Sequence, residues 1–306
     1  MARPAHITAV KGFRDVLPAE SARWHVLEVE ALDVFSIYGF EEIRLPIAEK
    51  TELFARSIGE STDIVEKEMY TFTDRGETSI TLRPEATASV VRAAIEHNLI
   101  STENERRLFY RGPMFRRERP QKGRFRQFYQ IGAEVLGRDD ALADAEVLVL
   151  IRDLLARVGA SGATIELNSL GDESCRPSYR EQLLAFAEER RETLCDNCRR
   201  RLTHNPLRVL DCKEERCARV MDGAPLLIDH LCEACETHFA TVRALLDAAD
   251  VSVTINPRIV RGLDYYCRTA FEITATGLGS QNAIGGGGRY DNLVAHLGGP
   301  AVAGVG

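Results

Sequence analysis

The sequence predicts an α+β protein: a sheet flanked by helices and interrupted by a mainly helical insertion. Three observations predict it. Residues 109–134 alternate in polarity as paired strands do, whereas the stretches opening at Pro18 and Asp140 carry apolar residues at helical spacing. Between about 171 and 250 the chain turns to charged helical segments holding seven of its eight cysteines, and β-like segments return after it at Val251–Asn256, Ala270–Thr274 and Asn282–Ile284. The sheet is therefore built from sequence on both sides of an insertion, which divides the chain into 1–170, 171–250 and 251–306.

Taken in order, Pro18 opens a helix in which Trp24, Leu27, Leu32 and Phe35 form an apolar stripe ending near Gly39. Phe40–Leu45 reads as a strand stopped by Pro46. Met69–Phe72 and Ser79–Arg83 read as paired strands around the turn 73–76, and Pro84-Glu85-Ala86-Thr87 leads into a helix running to about His97. Glu85 and Thr87 thus fall at a strand-to-helix corner. A carboxylate there complements the helix dipole, or serves as a fixed anion for a substrate ammonium group.

The hairpin that follows is the most charged part of the chain, with nine basic side chains and one acid, Glu118, from Arg106 to Arg126. Met114, Arg116 and Glu118 share one face. After a loop through Pro120, Lys122, Gly123 and Arg124, the positions Arg126, Phe128, Gln130, Gly132 and Glu134 share a face opposite Tyr129, Ile131, Ala133 and Val135. A face bearing Arg, Gln and Glu, with a glycine that lets a ligand approach the backbone, suits a phosphate-bearing substrate; the plain alternative is a solvated basic hairpin. Asp140–Val158 reads as a helix closed by Gly159, and Thr164–Leu167 as a strand.

Composition bounds the function. With 44% hydrophobic and 28% charged residues the chain can bury a full core. It has no run of about 18 apolar residues, and residues 1–10 lack the apolar centre of a signal peptide, so no membrane partner is expected and the cytoplasm is the expected compartment. A net charge of -7 argues against nonspecific nucleic-acid binding by the whole surface, while the local basic stretch can still steer an RNA end. The cysteines point to metal or free thiols rather than disulfides. Cys195-x-x-Cys198 and Cys232-x-x-Cys235 are knuckle-like pairs with Cys212, Cys217 and His238 nearby. The 33 residues between the pairs exceed the common ribbon spacing, so bound Zn2+ and reduced structural thiols both remain open.

Several motifs occur in one order. Phe115-Arg116-Arg117-Glu118, then Arg124 and Phe128, resembles motif 2 of the class II aminoacyl-tRNA synthetases, and Gly39 to Ile47 resembles their motif 1, the dimer interface of that family. Leu82-Arg83-Pro84-Glu85 is a further family motif, with Ala86 where glycine is frequent. Val260-Arg261-Gly262-Leu263-Asp264-Tyr265-Tyr266 and Ala283-Ile284-Gly285-Gly286-Gly287-Gly288-Arg289-Tyr290-Asp291-Asn292-Leu293 resemble the two signature peptides of the histidyl-tRNA synthetases. No Lys-Ser/Thr follows the four glycines, so they are a pocket floor rather than a Walker loop. Residues 301–306 resemble the beginning of motif 3.

The resemblance covers the whole chain and implies a class II, mostly antiparallel sheet. It also implies a homodimer, and a bacterial-type enzyme that activates L-histidine with ATP and Mg2+ and passes it to tRNA(His). By the same correspondence Arg116 and Arg261 flank the α-phosphate and carboxylate; Glu85, Thr87 and Gln130 hold the substrate amino group; Glu134 and Tyr266 bond the imidazole nitrogens. Tyr265 and Tyr290 complete the wall, Arg124 reaches the ATP phosphates, and Glu118 meets ATP or Mg2+. The family's motif 3 arginine and C-terminal anticodon-binding domain do not occur in the given sequence. A chain ending here is therefore expected to fold, dimerise and bind histidine, yet to charge tRNA poorly. The rival reading is the synthetase-like regulatory subunit of ATP phosphoribosyltransferase, a binding protein, in which the Arg-Gly-Leu-Asp-Tyr-Tyr peptide and the arginine-rich hairpin loop would not be expected intact.

Overall fold

The structure, a computed structural model, describes residues 6–59, 62, 64–118, 123–160, 162–212, 214–276 and 282–306. Pro120 and Lys122 of the hairpin loop lie outside the described residues. Among the described residues eleven strands form two sheets. The larger takes β1 (Glu41–Glu42), β5 (Arg106–Phe115), β6 (Gln127–Leu136), β7 (Thr164–Ser169), β8 (Val253–Ile255), β9 (Cys267–Thr274), β10 (Ala283–Arg289) and β11 (Gly304–Val305) in the order β1-β5-β6-β11-β10-β9-β7-β8. Every neighbouring pair is antiparallel except β1 with β5 and β7 with β8. The smaller sheet, β2 (Ala48–Lys50), β4 (Ser79–Leu82) and β3 (Tyr70–Thr73), is antiparallel throughout.

Strands from before and after residues 171–250 interleave in the larger sheet, so neither half of the chain can close it alone. Helices cover both of its faces. On one, α1 (Pro18–Ile37), α4 (Ala141–Arg157) and α8 (Glu233–Ala248) bury Ala31, Val34, Phe35, Leu148, Phe239, Val242 and Leu246 against Phe109, Val135, Ile165, Leu167 and Phe271. Phe35 stacks on Phe109 with ring centroids 4.5 Å apart. The expected stripe on α1 is turned slightly: Ala31, Val34 and Phe35 are buried, whereas Trp24 is only half-buried, at the hairpin edge, 4.8 Å from the Tyr129 ring. Helix α4 starts where Asp140 accepts from the Leu142 and Ala143 amides at 3.1 and 3.2 Å.

The strand expected over Phe40–Leu45 is only two residues long. Ile43 N–H still reaches Phe109 O at 2.8 Å, but beyond it the carbonyls of Leu45 and Pro46 are taken by the Arg83 guanidinium at 2.9 and 3.3 Å. A buried arginine on the Ser79–Arg83 segment thus replaces the strand ladder. The opposite sheet face carries α3 (Thr87–Glu96), and α5 (Arg176–Glu188), α6 (Asp196–His204) and α7 (Glu215–Val220) of the insertion extend the same hydrophobic cluster. Helices α2 (Thr51–Ile58) and α9 (Leu293–His296) pack beside α3.

Candidate active site

The site grows from the β5–β6 hairpin. Its register sets Tyr110 opposite Gly132, Gly112 opposite Gln130 and Met114 opposite Phe128, so alternation directs Phe128, Gln130, Gly132 and Glu134 to the α3 face while Ile131, Ala133 and Val135 pack toward α1 and α4. Gly132 is required because any Cβ would run into the Tyr110 ring. Above the hairpin, the Glu85 carboxylate accepts from the amides of Thr87 at 2.6 Å and Ala88 at 3.1 Å. The plain role, closing the N-terminus of α3, therefore occupies both oxygens. Burial raises the Glu85 pKa, and those two amides oppose the rise.

Glu134 is 2% exposed and accepts from the Thr87 hydroxyl at 2.6 Å and from the Tyr290 hydroxyl. Burial pushes its pKa up to about 7, against the pull of those two donors. Tyr265, Tyr266 and Tyr290 form one cluster with centroids 4.6, 5.7 and 6.5 Å apart, and all three are buried. Arg261 stands over the Tyr266 ring at 5.3 Å, with Nη1 3.4 Å from Glu272. The donor to Glu134 from this cluster is Tyr290.

Over this buried cup opens a cleft of about 540 Å³ lined by Arg116, Glu118, Arg124, Phe128, Gln130, Arg261 and the glycines at 285 and 286. Arg116 donates to Pro84 O at 2.8 Å, lies 5.1 Å from the Phe128 ring centroid and is 3.8 Å from Glu118, which also pairs with Arg124 at 2.8 Å. The glycine run is strand β10. A Cβ on Gly286 would come within 2.5 Å of Arg261 Nη1 and 2.9 Å of Phe271 O, so the bare backbone gives the arginine its place. Two buried polar atoms on the walls, Gln130 Oε1 and Arg261 Nε, have no hydrogen-bond partner among the described residues. Such atoms mark where a polar ligand would be satisfied. The arrangement offers three guanidiniums to a polyanion at the mouth and carboxylates with phenols to a small polar group beneath.

Sequence reasoning overlooked Tyr110, whose ring packs under Gly132, and Asp264, which accepts from Asn205 of the insertion at 2.7 Å. The first had a signal: in a hairpin of this register Tyr110 shares the face of Glu134. The second, joining residues 59 apart, had none.

The cysteine pairs do not share one centre. Cys195 and Cys198 gather with Cys212 and Cys217, and Cys232 and Cys235 with Asp172 and Cys175, the ligating atoms in each group lying within 4.8 Å of one another. His238 belongs to neither; it bonds Asp144 at 2.8 Å beside the buried Arg289.

Three comparisons bear on this geometry. The family model described as histidyl-tRNA synthetase matches residues 12–306. The chain is 57% identical to a Trichlorobacter lovleyi protein named histidine–tRNA ligase and 55% identical to one of the same name from Geobacter metallireducens. Each alignment spans 98% of this chain, and 72% and 73% of those proteins respectively. Among solved structures, the apo histidyl-tRNA synthetase of S. aureus superposes with a TM-score of 0.78 at 36% identity, over 98% of this chain and 70% of that one.

Proposed function

The chain belongs to the histidyl-tRNA synthetase family, and from that premise we propose how its residues divide the work of a histidine–tRNA ligase. The reaction has two steps. The carboxylate of L-histidine attacks the α-phosphorus of ATP, held with Mg2+, and pyrophosphate leaves. The terminal ribose hydroxyl of tRNA(His) then attacks the histidyl carbonyl and AMP leaves. Neither step needs a protein nucleophile, so catalysis consists of alignment and of cations set against charge on the phosphorus oxygens.

In this reading Arg116 and Arg261 flank the α-phosphate from opposite walls of the cleft, and Arg124 takes the outer phosphates. Glu118, which holds Arg116 and Arg124 in place, lines the cleft and would meet ATP or its Mg2+. Gln130 and Thr87 receive the substrate ammonium group together with Glu85, whose negative charge acts even while its oxygens cap α3. Glu134 and Tyr266 take the imidazole nitrogens, Tyr290 handing Glu134 over as the ligand enters, and Tyr265 completes the wall. The observation that carries the assignment is the stacking of an arginine-lined cleft on a buried cup of carboxylate and phenols, with Gln130 Oε1 and Arg261 Nε unpartnered at their junction.

A class II homodimer in the cytoplasm completes the proposal. Its support is the short edge strand β1 after α1, with Val26, Val29, Ile37 and Ile47 exposed close by. Among the described residues no helix is long and apolar enough to cross a membrane. The regulatory-subunit reading has less support, since the relatives above 50% identity are named ligases and both Arg261 and the hairpin arginines face the cleft. Exchange of labelled pyrophosphate into ATP, by the chain extended through the family's motif 3, tests the proposal: it should require L-histidine and fail with every other amino acid. Absence of histidine-dependent exchange would favour the binding-protein reading.

A further inference from the structure

The seven insertion cysteines find no role in that reaction, and their placement is too ordered for stray thiols. Cys195, Cys198 and Cys217 are buried and Cys212 is half-buried. Cys195 Sγ and Cys212 Sγ are 3.9 Å apart. That is near twice a disulfide bond and close to the roughly 3.8 Å edge of a tetrahedron of sulfurs about Zn2+. Two sulfurs accept backbone amides, Cys217 Sγ from Cys195 N at 3.2 Å and Cys195 Sγ from Cys198 N at 3.4 Å. Amides directed at sulfur favour the thiolate over the thiol, as metal ligation does. The second group repeats the pattern: Cys175 Sγ accepts from Cys232 N at 3.1 Å, with Asp172 Oδ1 3.6 Å from Cys175 Sγ and 3.9 Å from Cys232 Sγ.

We propose that the insertion carries two structural Zn2+ sites, an all-cysteine site at Cys195, Cys198, Cys212 and Cys217 and a mixed carboxylate–thiolate site at Asp172, Cys175, Cys232 and Cys235. Both sites supply four protein ligands and leave no position for substrate, which is the structural rather than the catalytic form of zinc. They sit where the chain needs fastening. The mixed site joins the segment entering the insertion to the segment leaving it, 57 residues apart, and so clamps its neck. It meets the sheet through Arg268 at the start of β9, which pairs with Asp172 at 3.6 Å. The all-cysteine site draws together residues 22 apart across a stretch of short helices and turns, where a metal cross-links elements too short to hold one another. Between its ligands lies Asn205, the donor to Asp264 in the heptapeptide that ends in Tyr265 and Tyr266. The metal of the all-cysteine site therefore braces the wall of the histidine cup from outside.

Native mass spectrometry and elemental analysis of the chain, produced in zinc-supplemented medium and purified without chelator, test this. Two Zn2+ per chain are expected, falling to one in Cys212→Ser and to one in Cys235→Ser. If either variant fails to fold, X-ray absorption at the zinc edge of the unaltered protein decides instead, with a sulfur-dominated first shell containing a minor oxygen component expected. A folded, zinc-free chain with all eight thiols open to a small disulfide reagent would overturn the proposal, as would zinc that gel filtration strips without loss of structure. Because metal content is read without ATP, histidine or tRNA, the result stands apart from the ligase reading.

Discussion

Glu134 is a carboxylate under 3% exposed whose two donors are hydroxyls rather than cations. Its folded pKa of about 7 lies above the ordinary carboxylate value, so it contributes stability below about pH 4 that is lost as pH rises through 7, up to roughly 3 kcal/mol. Melting temperatures of the parent and Glu134→Gln should therefore converge or cross between pH 5.5 and pH 8.5, the variant gaining on the parent as pH rises. Parallel curves would show that Glu134 stays charged throughout. Arg261 acts differently, since its Nε is unpartnered and its nearest acid stands off at 3.4 Å. Arg261→Ala should lower adenylate formation about 10²–10³-fold while histidine binding stays measurable. Rapid-quench measurement of the adenylate decides, and an unchanged rate would remove Arg261 from the mechanism. At this scale residue identities were legible from the motifs, but partnerships were not. The Tyr290–Glu134 hydrogen bond, between residues 156 apart, depends on how two distant strands lie in one sheet.

Strand β10 shows how an element serves the site by lacking side chains. Gly286 lies where a Cβ would press on Arg261 and on the backbone of β9, so Gly286→Ala should displace the arginine and cut adenylation at least about tenfold with a smaller effect on ATP affinity. An alanine variant with normal turnover would show that the strand yields. Helix α4 offers a test of folding alone: Asp140→Ala removes the side chain that caps it and should cost about 1 kcal/mol in denaturant unfolding, without changing histidine affinity. Helices and the hairpin were readable because capping residues and periodicity are local. The strand expected at Phe40–Leu45 failed because Arg83, nearly forty residues on, takes its last carbonyls, and local alternation contains no trace of that competitor.

For the molecule as a whole, the fold brings residues 85, 134, 261 and 290 together from four separate stretches of chain, Glu134 on β6 of the larger sheet and Glu85 between β4 of the smaller sheet and α3. The larger sheet's mostly antiparallel order came from motif resemblance, since alternation alone does not give strand order. If the α1–β1 edge is the dimer interface, sedimentation should give a dimer for the parent and a monomer for Val29→Asp, and a monomeric parent would refute that interface. The central claim is that the buried cup is built for imidazole. Site residues that bond both ring nitrogens exclude side chains lacking them by leaving polar groups unpaired, a penalty that reaches about 10⁴-fold. Calorimetric titration with L-histidine and with L-phenylalanine, on the parent and on Glu134→Ala, tests it most directly. The account predicts saturable one-to-one binding of histidine, no detectable binding of phenylalanine, and a loss of at least about tenfold in the variant with ATP affinity retained; equal binding of the two amino acids, or histidine binding indifferent to Glu134, would contradict it.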